Sequence, residues 1–210
     1  LLNKKLEQGI IYTLSINDSL IDCMGNIIAL QSFIRFGYAQ LPDSFDVIIN
    51  EVLFDPKGSD GIDFVEIYNR SEKVLDLKNM LATSRDTVEN HLTTIQEISQ
   101  ESYLFFPGDY LVLTTNPDAV RQTYMTNSPH GFIRLGSMPR MTNAGGVIVL
   151  ASKSHQIIDM FVYEEDMQLP LLTTYKGVAL ERINYHRPTQ DRSNWHSAAQ
   201  GVGFGTPAYR

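Results

Sequence analysis

The sequence predicts an all-β domain, a sandwich or a barrel, with one short helix. From Val47 onward, short runs rich in β-branched and aromatic residues follow one another. Glycine, proline, aspartate and asparagine separate these runs, as they do in turns between strands. Many short strands joined by turns are typical of sandwiches and barrels. The one clear helix signal lies at Asn116-Pro117-Asp118, where an N-cap residue precedes proline and an acidic first turn.

The individual elements are predicted from these runs and from the turns between them. The residues from 55 to 61 carry Pro56, Gly58 and Gly61 and form the first turn, and Pro107-Gly108-Asp109 forms a second. The helix is expected to continue from Pro117 to about residue 124. The predicted strands lie at residues 47–54, 62–68, 92–98, 103–106, 110–115, 131–135, 146–150, 156–162 and 178–183.

The first 40 residues have a different organisation. Two strand-like segments, 10–16 and 32–36, flank a turn-like segment, 22–26. This pattern is similar to the last two strands of a bacterial immunoglobulin-like repeat. We therefore assign residues 1–42 to the end of a truncated immunoglobulin-like domain plus a linker. Two strands cannot be stable alone, so we expect this hairpin to dock onto the following domain or to pair with a second molecule.

Composition limits the classes of function. The hydrophobic share of 43% allows a core, and a net charge of −7 weighs against general nucleic-acid binding. No apolar run approaches the roughly 20 residues that span a bilayer. Cys23 is the single cysteine, so no disulfide forms within the chain, which fits a cytoplasmic protein or an exported one. The chain begins with Leu1 and shows no signal peptide. We interpret it as part of a longer protein, so this says nothing about its compartment.

Three glutamates within apolar strands are the first candidates for chemistry. Alternation places Glu51 on one face with Ile49 and Leu53, and it likewise puts Glu66 and Glu181 within half-buried strands. Half-buried carboxylates can have raised pKa values and act as acid or base. The structural alternative is that they accept hydrogen bonds from loop amides or pair with Arg70 or Arg182. Because an unpaired buried carboxylate is costly, the structural alternative is the prediction.

A calcium site is the one cofactor that the sequence leaves open. Asp55, Asp60 and Asp63 lie in or beside one loop, and calcium takes six to eight oxygen ligands. Pro56 and Lys57 interrupt the spacing, and turn-forming aspartates are common without a metal. The expectation is therefore no cofactor, with these three aspartates as the metal candidates.

Other reactive constellations are weak. The five histidines have neither His-x-His nor His-Glu-x-x-His spacing, and no Gly-x-Ser-x-Gly turn presents a nucleophile. The segment Asp191-x-x-Asn194-x-His196 beside Trp195 is interpreted as a loop held by a buried aromatic. A nucleic-acid surface would need clustered arginines and stacking rings, but a mixed solvated face is the simpler interpretation. Those candidates are Arg134, Arg140, Arg182, Arg187, Arg192, Tyr185, Phe204 and Tyr209.

A set of ordered segments resembles the lamin-tail domain, an immunoglobulin-like β-sandwich. The resemblance covers residues 45–210, and Met80 stands where family members usually carry tryptophan. The segment from Thr83 to Ser102 is longer than simple members need. The segments are Ile48-Ile49-Asn50-Glu51-Val52, Phe64-Val65-Glu66-Ile67-Tyr68-Asn69-Arg70-Ser71, Phe106-Pro107-Gly108-Asp109-Tyr110-Leu111-Val112-Leu113, Val178-Ala179-Leu180-Glu181-Arg182, Ser193-Asn194-Trp195 and Gly205-Thr206-Pro207.

The resemblance implies a recognition or spacer module and gives no catalytic residues. Bacterial relatives occur in secreted or surface-attached multidomain proteins, beside immunoglobulin-like repeats, nucleases or phosphoesterases. The expected protein is thus a non-catalytic module, extracellular or in the cell envelope, whose partner is a protein or a surface glycan. The alternative is an accessory substrate-binding domain of an extracellular hydrolase. An upstream immunoglobulin-like domain in the same chain is expected, and nucleic acid is not an expected partner.

Overall fold

The computed structural model describes residues 5–15, 21–27, 33–58, 61–86 and 88–209. These residues contain fourteen strands and one α-helix, α1 (Pro117–Thr123). The strands are β1 (Ile11–Ser15), β2 (Phe33–Gly37), β3 (Val47–Leu53), β4 (Phe64–Asn69), β5 (Leu75–Asp76), β6 (Met80–Arg85), β7 (Leu92–Glu97), β8 (Leu104–Phe105), β9 (Tyr110–Thr114), β10 (Phe132–Arg134), β11 (Gly145–Ser152), β12 (Ile157–Glu164), β13 (Leu180–Arg182) and β14 (Trp195–Ser197). Short 3₁₀ helices lie at Leu77–Asn79, Glu165–Met167, Arg192–Asn194 and Gln200–Val202.

Two sheets pack face to face. The six-stranded sheet has the order β10-β9-β4-β3-β13-β14, antiparallel except where β10 pairs parallel to β9. The four-stranded sheet has the order β12-β11-β6-β7. The main core lies between the sheets and includes Val52, Val65, Leu150 and Phe161. The predicted β-sandwich is confirmed.

The strand β6 and its pairing with β7 were not predicted. Thr83, Ser84 and Arg85 give β6 a polar sequence, which resembles a loop. In the structure the Thr83 and Ser84 hydroxyl groups bond to the neighbouring strand. Thr83 Oγ1 donates to the Thr93 carbonyl at 2.6 Å, and Ser84 Oγ lies 2.7 Å from Thr94 Oγ1. The long segment after Met80 is therefore a hairpin that widens the four-stranded sheet. Met80, which stands at the position where family members usually carry tryptophan, is fully buried in the core.

A β-bulge in β3 changes which side chains face outward. The register between β3 and β4 shifts between Ile49 and Glu51. Ile49 packs in the main core with Val52, whereas Leu53 belongs to a second cluster on the opposite face of the sheet. Glu51 shares that outer face with Leu53 only, so placing it beside Ile49 was wrong. A bulge inserts one residue and reverses the alternation, which a simple period of two does not anticipate.

The helix α1 covers part of this outer face. Asn116 Oδ1 accepts the N-cap hydrogen bond from the Ala119 N–H at 3.4 Å, as predicted from Asn-Pro-Asp. Val120 and Tyr124 then pack in the outer cluster with Phe64. The Tyr124 hydroxyl donates to the Gly177 carbonyl at 3.1 Å. These contacts cover the part of the outer face that lies next to α1.

The hairpin of β1 and β2 contacts the sandwich at its rim. Arg35 Nη2 lies 2.7 Å from Asp109 Oδ2, and the Arg35 guanidinium carbon lies 4.3 Å from the centre of the Phe106 ring. The Gln40 N–H donates to the Val74 carbonyl at 2.8 Å. The hairpin thus contacts the sandwich, as one of the two expected outcomes requires. Leu14, Phe33 and Ile34 nevertheless keep 61%, 68% and 62% of their surface exposed, so the contact does not bury the apolar strand residues. The assignment of residues 1–42 to a truncated immunoglobulin-like domain stays a prediction.

None of the helices in the described part of the chain is long and apolar enough to cross a bilayer.

Candidate functional site

Two of the three candidate calcium ligands, Asp55 and Asp63, lie in the described part of the chain. Asp60 lies outside the described residues. Asp55 is buried, and its Oδ1 accepts a hydrogen bond from Asn143 Nδ2 at 2.6 Å. Burial, together with the nearby charge of Asp55, raises the pKa of Asp63 to about 6. Among the described residues, no three histidine, cysteine, aspartate or glutamate side chains are close enough to hold a metal. The expectation of no cofactor, with these three aspartates as the metal candidates, stays a prediction.

The raised pKa of Asp63 leads to a test by pH. Because the folded state holds a proton that the unfolded state releases near pH 4, the free energy of unfolding should fall as pH rises from about 4 to about 6. Asp63→Asn should remove this loss and so raise the free energy of unfolding at pH 7. The increase should be only on the order of 1 kcal/mol, because part of the carboxyl still faces water. Urea unfolding at pH 4 and pH 7 measures both values. A gain of equal size at both pH values would contradict the assignment, and Glu165→Gln, an exposed carboxylate, serves as the matched control.

The three strand glutamates form one row across the outer face. In the strand registers, Glu51 is the direct partner of Glu66 on β4 and of Glu181 on β13. Glu51 and Glu66 are almost completely buried, with 1% and 3% of their surface exposed. Burial is the largest cause of the raised pKa of Glu51, and the charges of Glu66 and Glu181 add to it.

The C-terminal segment satisfies these carboxylates. Glu51 Oε1 accepts from the Thr206 N–H at 2.9 Å, and Glu66 Oε2 accepts from the Ala208 N–H at 2.7 Å. The Thr206 hydroxyl donates to Glu181 Oε1 at 2.7 Å. The predicted pairing with loop amides is confirmed. Since the segment after Gly205 lies over the row, the two buried carboxylates act as acceptors that hold the chain end.

A second buried polar network links the two sheets. Asp159 Oδ2 on β12 accepts from the Ile49 N–H at 2.8 Å, while Arg182 Nε donates to the Ile49 carbonyl at 2.7 Å. Thr189 Oγ1 donates to Asp159 Oδ1 at 2.6 Å and accepts from Arg182 Nη2. Trp195 Nε1 donates to the Thr189 carbonyl at 2.8 Å. The sequence indicated roles for Arg182 and Trp195 but not their connection through Asp159 and Thr189.

The structure does not support the arginine surface considered from the sequence. The Arg182 side chain is fully buried, so it cannot contact a nucleic acid. Arg187 pairs with Asp191 at 2.6 Å, and Arg192 pairs with Glu164 at 2.8 Å. Arg134 is 3.7 Å from Asp118. Arg134, Arg187 and Arg192 thus belong to a mixed, solvated face, the simpler interpretation of the sequence.

The segment from Asp191 to His196 is a pinned loop, as interpreted. Asp191 Oδ1 accepts from the Ser193 N–H at 3.0 Å and begins a 3₁₀ helix. Asn194 is fully buried, and its side chain bonds to both main-chain groups of Asn184. His196 is half-exposed beside Glu181, with Nε2 3.7 Å from Oε2. The arrangement orders the loop before Trp195.

An open cavity of about 320 Å³ lies where the hairpin meets the rim of the six-stranded sheet. This "rim cavity" is built from segments that are distant in sequence. Its volume is near the lower end of the roughly 300–1,000 Å³ of small-molecule sites. The hairpin contributes Arg35, and the segments around β8 and β9 and before β10 contribute Tyr103, Asp109, Tyr110, Ser128 and His130.

Packing fixes two walls of the rim cavity. Asp109 and the ring of Phe106 hold the Arg35 guanidinium from two directions, yet 38% of the Arg35 side chain and 29% of the Asp109 side chain stay exposed. The Tyr110 ring stacks on Tyr68 with centroids 4.3 Å apart, and Tyr68 in turn packs on Tyr185 at 4.7 Å. The cavity therefore presents preorganised polar and aromatic groups to the solvent.

Three lining residues of the rim cavity have the side-chain types of a hydrolytic triad. Ser128, His130 and Asp109 line it together. In a triad the carboxylate must orient the imidazole. Here the Asp109 carboxylate pairs with Arg35 at 2.7 Å. This ion pair engages one oxygen of the Asp109 carboxylate. No local sequence signal marks this site, because its residues come from several segments that only the tertiary fold brings together.

The fold and the sites define an immunoglobulin-like β-sandwich whose strand glutamates hold its C-terminal segment. Comparison with known families agrees with this class. The sequence model of the lamin tail domain matches residues 41–165, more than half of the chain. The chain belongs to the lamin tail domain family.

Two further comparisons give little more. No curated protein matches the chain. The chain is similar to the crystal structure of a DUF4876 family protein from Bacteroides thetaiotaomicron, with 12% sequence identity and a TM-score of 0.46. That similarity covers 95% of this chain and 87% of the other.

Proposed function

We propose that this domain is a non-catalytic interaction module of a secreted or surface-attached bacterial multidomain protein. The rim cavity carries the proposal, because it combines held aromatic rings with an exposed charged pair in a concave surface. The engagement of Glu51 and Glu66 by the chain end supports the same conclusion. Either a protein or a glycan could offer a complementary surface.

Absence of turnover is the expected result of an activity test. The purified chain is incubated with chromogenic carboxylic esters, phosphate esters and glycosides, alongside the variants Ser128→Ala and Glu66→Gln. We expect wild type and both variants to match the buffer. Turnover that either substitution abolishes, without unfolding the protein, would overturn the proposal and establish a hydrolase.

A second candidate is an accessory substrate-binding domain of an extracellular hydrolase in the same chain. The specific support is the rim cavity itself, because a solvent-facing cavity with held polar and aromatic groups suits a domain that binds substrate for a catalytic partner. The full-length protein separates the two candidates. If Tyr103→Ala raises the KM for hydrolysis by the complete protein but leaves kcat unchanged, the accessory domain is favoured.

The proposed location outside the cytoplasm has its own test. Protease added to intact cells that produce the full-length protein should cleave it without lysis. Protection in intact cells, with cleavage after lysis, would contradict a surface location.

A further inference from the structure

We infer that the rim cavity binds a neutral sugar ring, and that the docked hairpin supplies one of its binding groups. The inference rests on the proposed function and specifies the chemistry of its ligand. It depends on three properties of the cavity, namely the balance of its charges, the geometry of its polar pair and its aromatic walls.

The charges of the cavity favour a neutral ligand. Arg35 and Asp109 lie 2.7 Å apart and cancel one another. An anion that approached Arg35 would meet the Asp109 carboxylate, and a cation that approached Asp109 would meet the guanidinium. Since each charge is already compensated, a neutral polar ligand gains hydrogen bonds from both groups without opposing either one.

The geometry of the pair suits neighbouring hydroxyl groups. The guanidinium is a planar donor with five N–H groups, and the carboxylate is a planar acceptor with two oxygens. Arg35 contributes Nη2 to the ion pair, and the centre of the Phe106 ring lies 4.3 Å from its guanidinium carbon. A sugar offers adjacent hydroxyl groups that both donate and accept, so one ring can bond to both members of the pair.

The aromatic walls suit the apolar face of a sugar. Tyr103 and Tyr110 line the cavity, and Tyr103 is 40% exposed. Tyr110 is backed by Tyr68 at 4.3 Å between ring centroids, so its position is fixed before a ligand arrives. Rings that are already ordered bind with little further loss of entropy. The volume of about 320 Å³ fits one sugar ring better than an extended chain.

The hairpin makes the site composite. Arg35 lies on β2, whereas Asp109 belongs to the turn before β9. Weakening the ion pair should therefore weaken binding of the sugar. Arg35→Lys is informative, because lysine keeps the charge but lacks the planar fork.

Saturation-transfer NMR on the whole chain tests the inference. The probes are the methyl glycosides of glucose, galactose, mannose and xylose, with methyl glucuronide as the anionic comparison. We expect at least one neutral glycoside to bind and the anionic probe to bind more weakly. Tyr103→Ala, Asp109→Asn and Arg35→Lys should each weaken binding about tenfold or more, a change of about 1.4 kcal/mol. Tyr38→Ala, at an exposed tyrosine that does not line the cavity, should leave binding unchanged. Thermal melts check that every variant is folded.

Several outcomes would overturn the inference. No transfer to any neutral glycoside at millimolar concentration would do so, as would stronger binding of methyl glucuronide. Binding that all three cavity variants leave unchanged would place the sugar elsewhere. If neutral glycosides fail but Tyr103→Ala abolishes binding of a protein partner, the sugar inference falls while the interaction module stands. Hydrolysis of a glycoside that Ser128→Ala abolishes would instead refute the proposed function.

Discussion

Trp195→Ala is expected to lower the free energy of unfolding by about 3–5 kcal/mol. Only 6% of the Trp195 surface is exposed, and its ring stacks on Phe161 with centroids 3.9 Å apart. Alanine would leave a cavity between the sheets and an unpaired Thr189 carbonyl, which now accepts the indole N–H at 2.8 Å. Because Trp195 is the single tryptophan, its removal also removes the tryptophan fluorescence signal. Unfolding in urea should therefore be followed by circular dichroism.

Two further variants separate the contributions of Trp195. Trp195→Phe keeps an aromatic ring but removes the N–H donor, so it should cost about 1–3 kcal/mol. Tyr38→Ala, at a tyrosine that is 49% exposed, should change stability by no more than about 0.5 kcal/mol. A cost below about 1 kcal/mol for Trp195→Ala would mean that this residue does not join the sheets.

Arg182→Met is expected to cost about 3–5 kcal/mol at neutral pH, because it leaves the buried Asp159 carboxylate without its counter-charge. Arg182 Nη2 lies 3.6 Å from Asp159 Oδ2, and Arg182 also donates to the carbonyl groups of Ile49 and Arg187. Burial already raises the pKa of Asp159, and the charge of Arg182 opposes that rise. Without Arg182 the pKa of Asp159 should rise further. Protonation then removes the buried charge, so the stability lost by the variant should shrink as pH falls.

Arg192→Met provides the matched control. The Arg192 side chain is 53% exposed and pairs with Glu164 and Asp166, so its loss should cost much less than the loss of Arg182. Urea unfolding of both variants from pH 7 to pH 4 gives the comparison. Equal costs for the two variants, or a cost for Arg182→Met that does not depend on pH, would refute the role assigned to the buried pair.

Local patterns in the sequence were sufficient for much of the fold. Alternating strands and turn residues predicted β3, β4, β9, β11 and β12, and the Asn-Pro-Asp signal predicted α1. The polar strand β6 escaped this approach. In β6, Thr83 and Ser84 are buried because neighbouring strands satisfy their hydroxyl groups, and no residue within β6 signals that.

The sequence by itself determined the sandwich class, the family resemblance and the structural role of the strand glutamates, because these depend on residue type and local order. Only the tertiary structure decided which groups meet. The bulge after Ile49 set the face of Glu51, and the packing of the sheets joined Asp159 to Arg182. The rim cavity likewise gains Arg35 only because the docked hairpin places this residue beside Asp109, 74 residues away in the chain. Such contacts depend on long-range geometry, which neighbouring residues in the sequence do not encode.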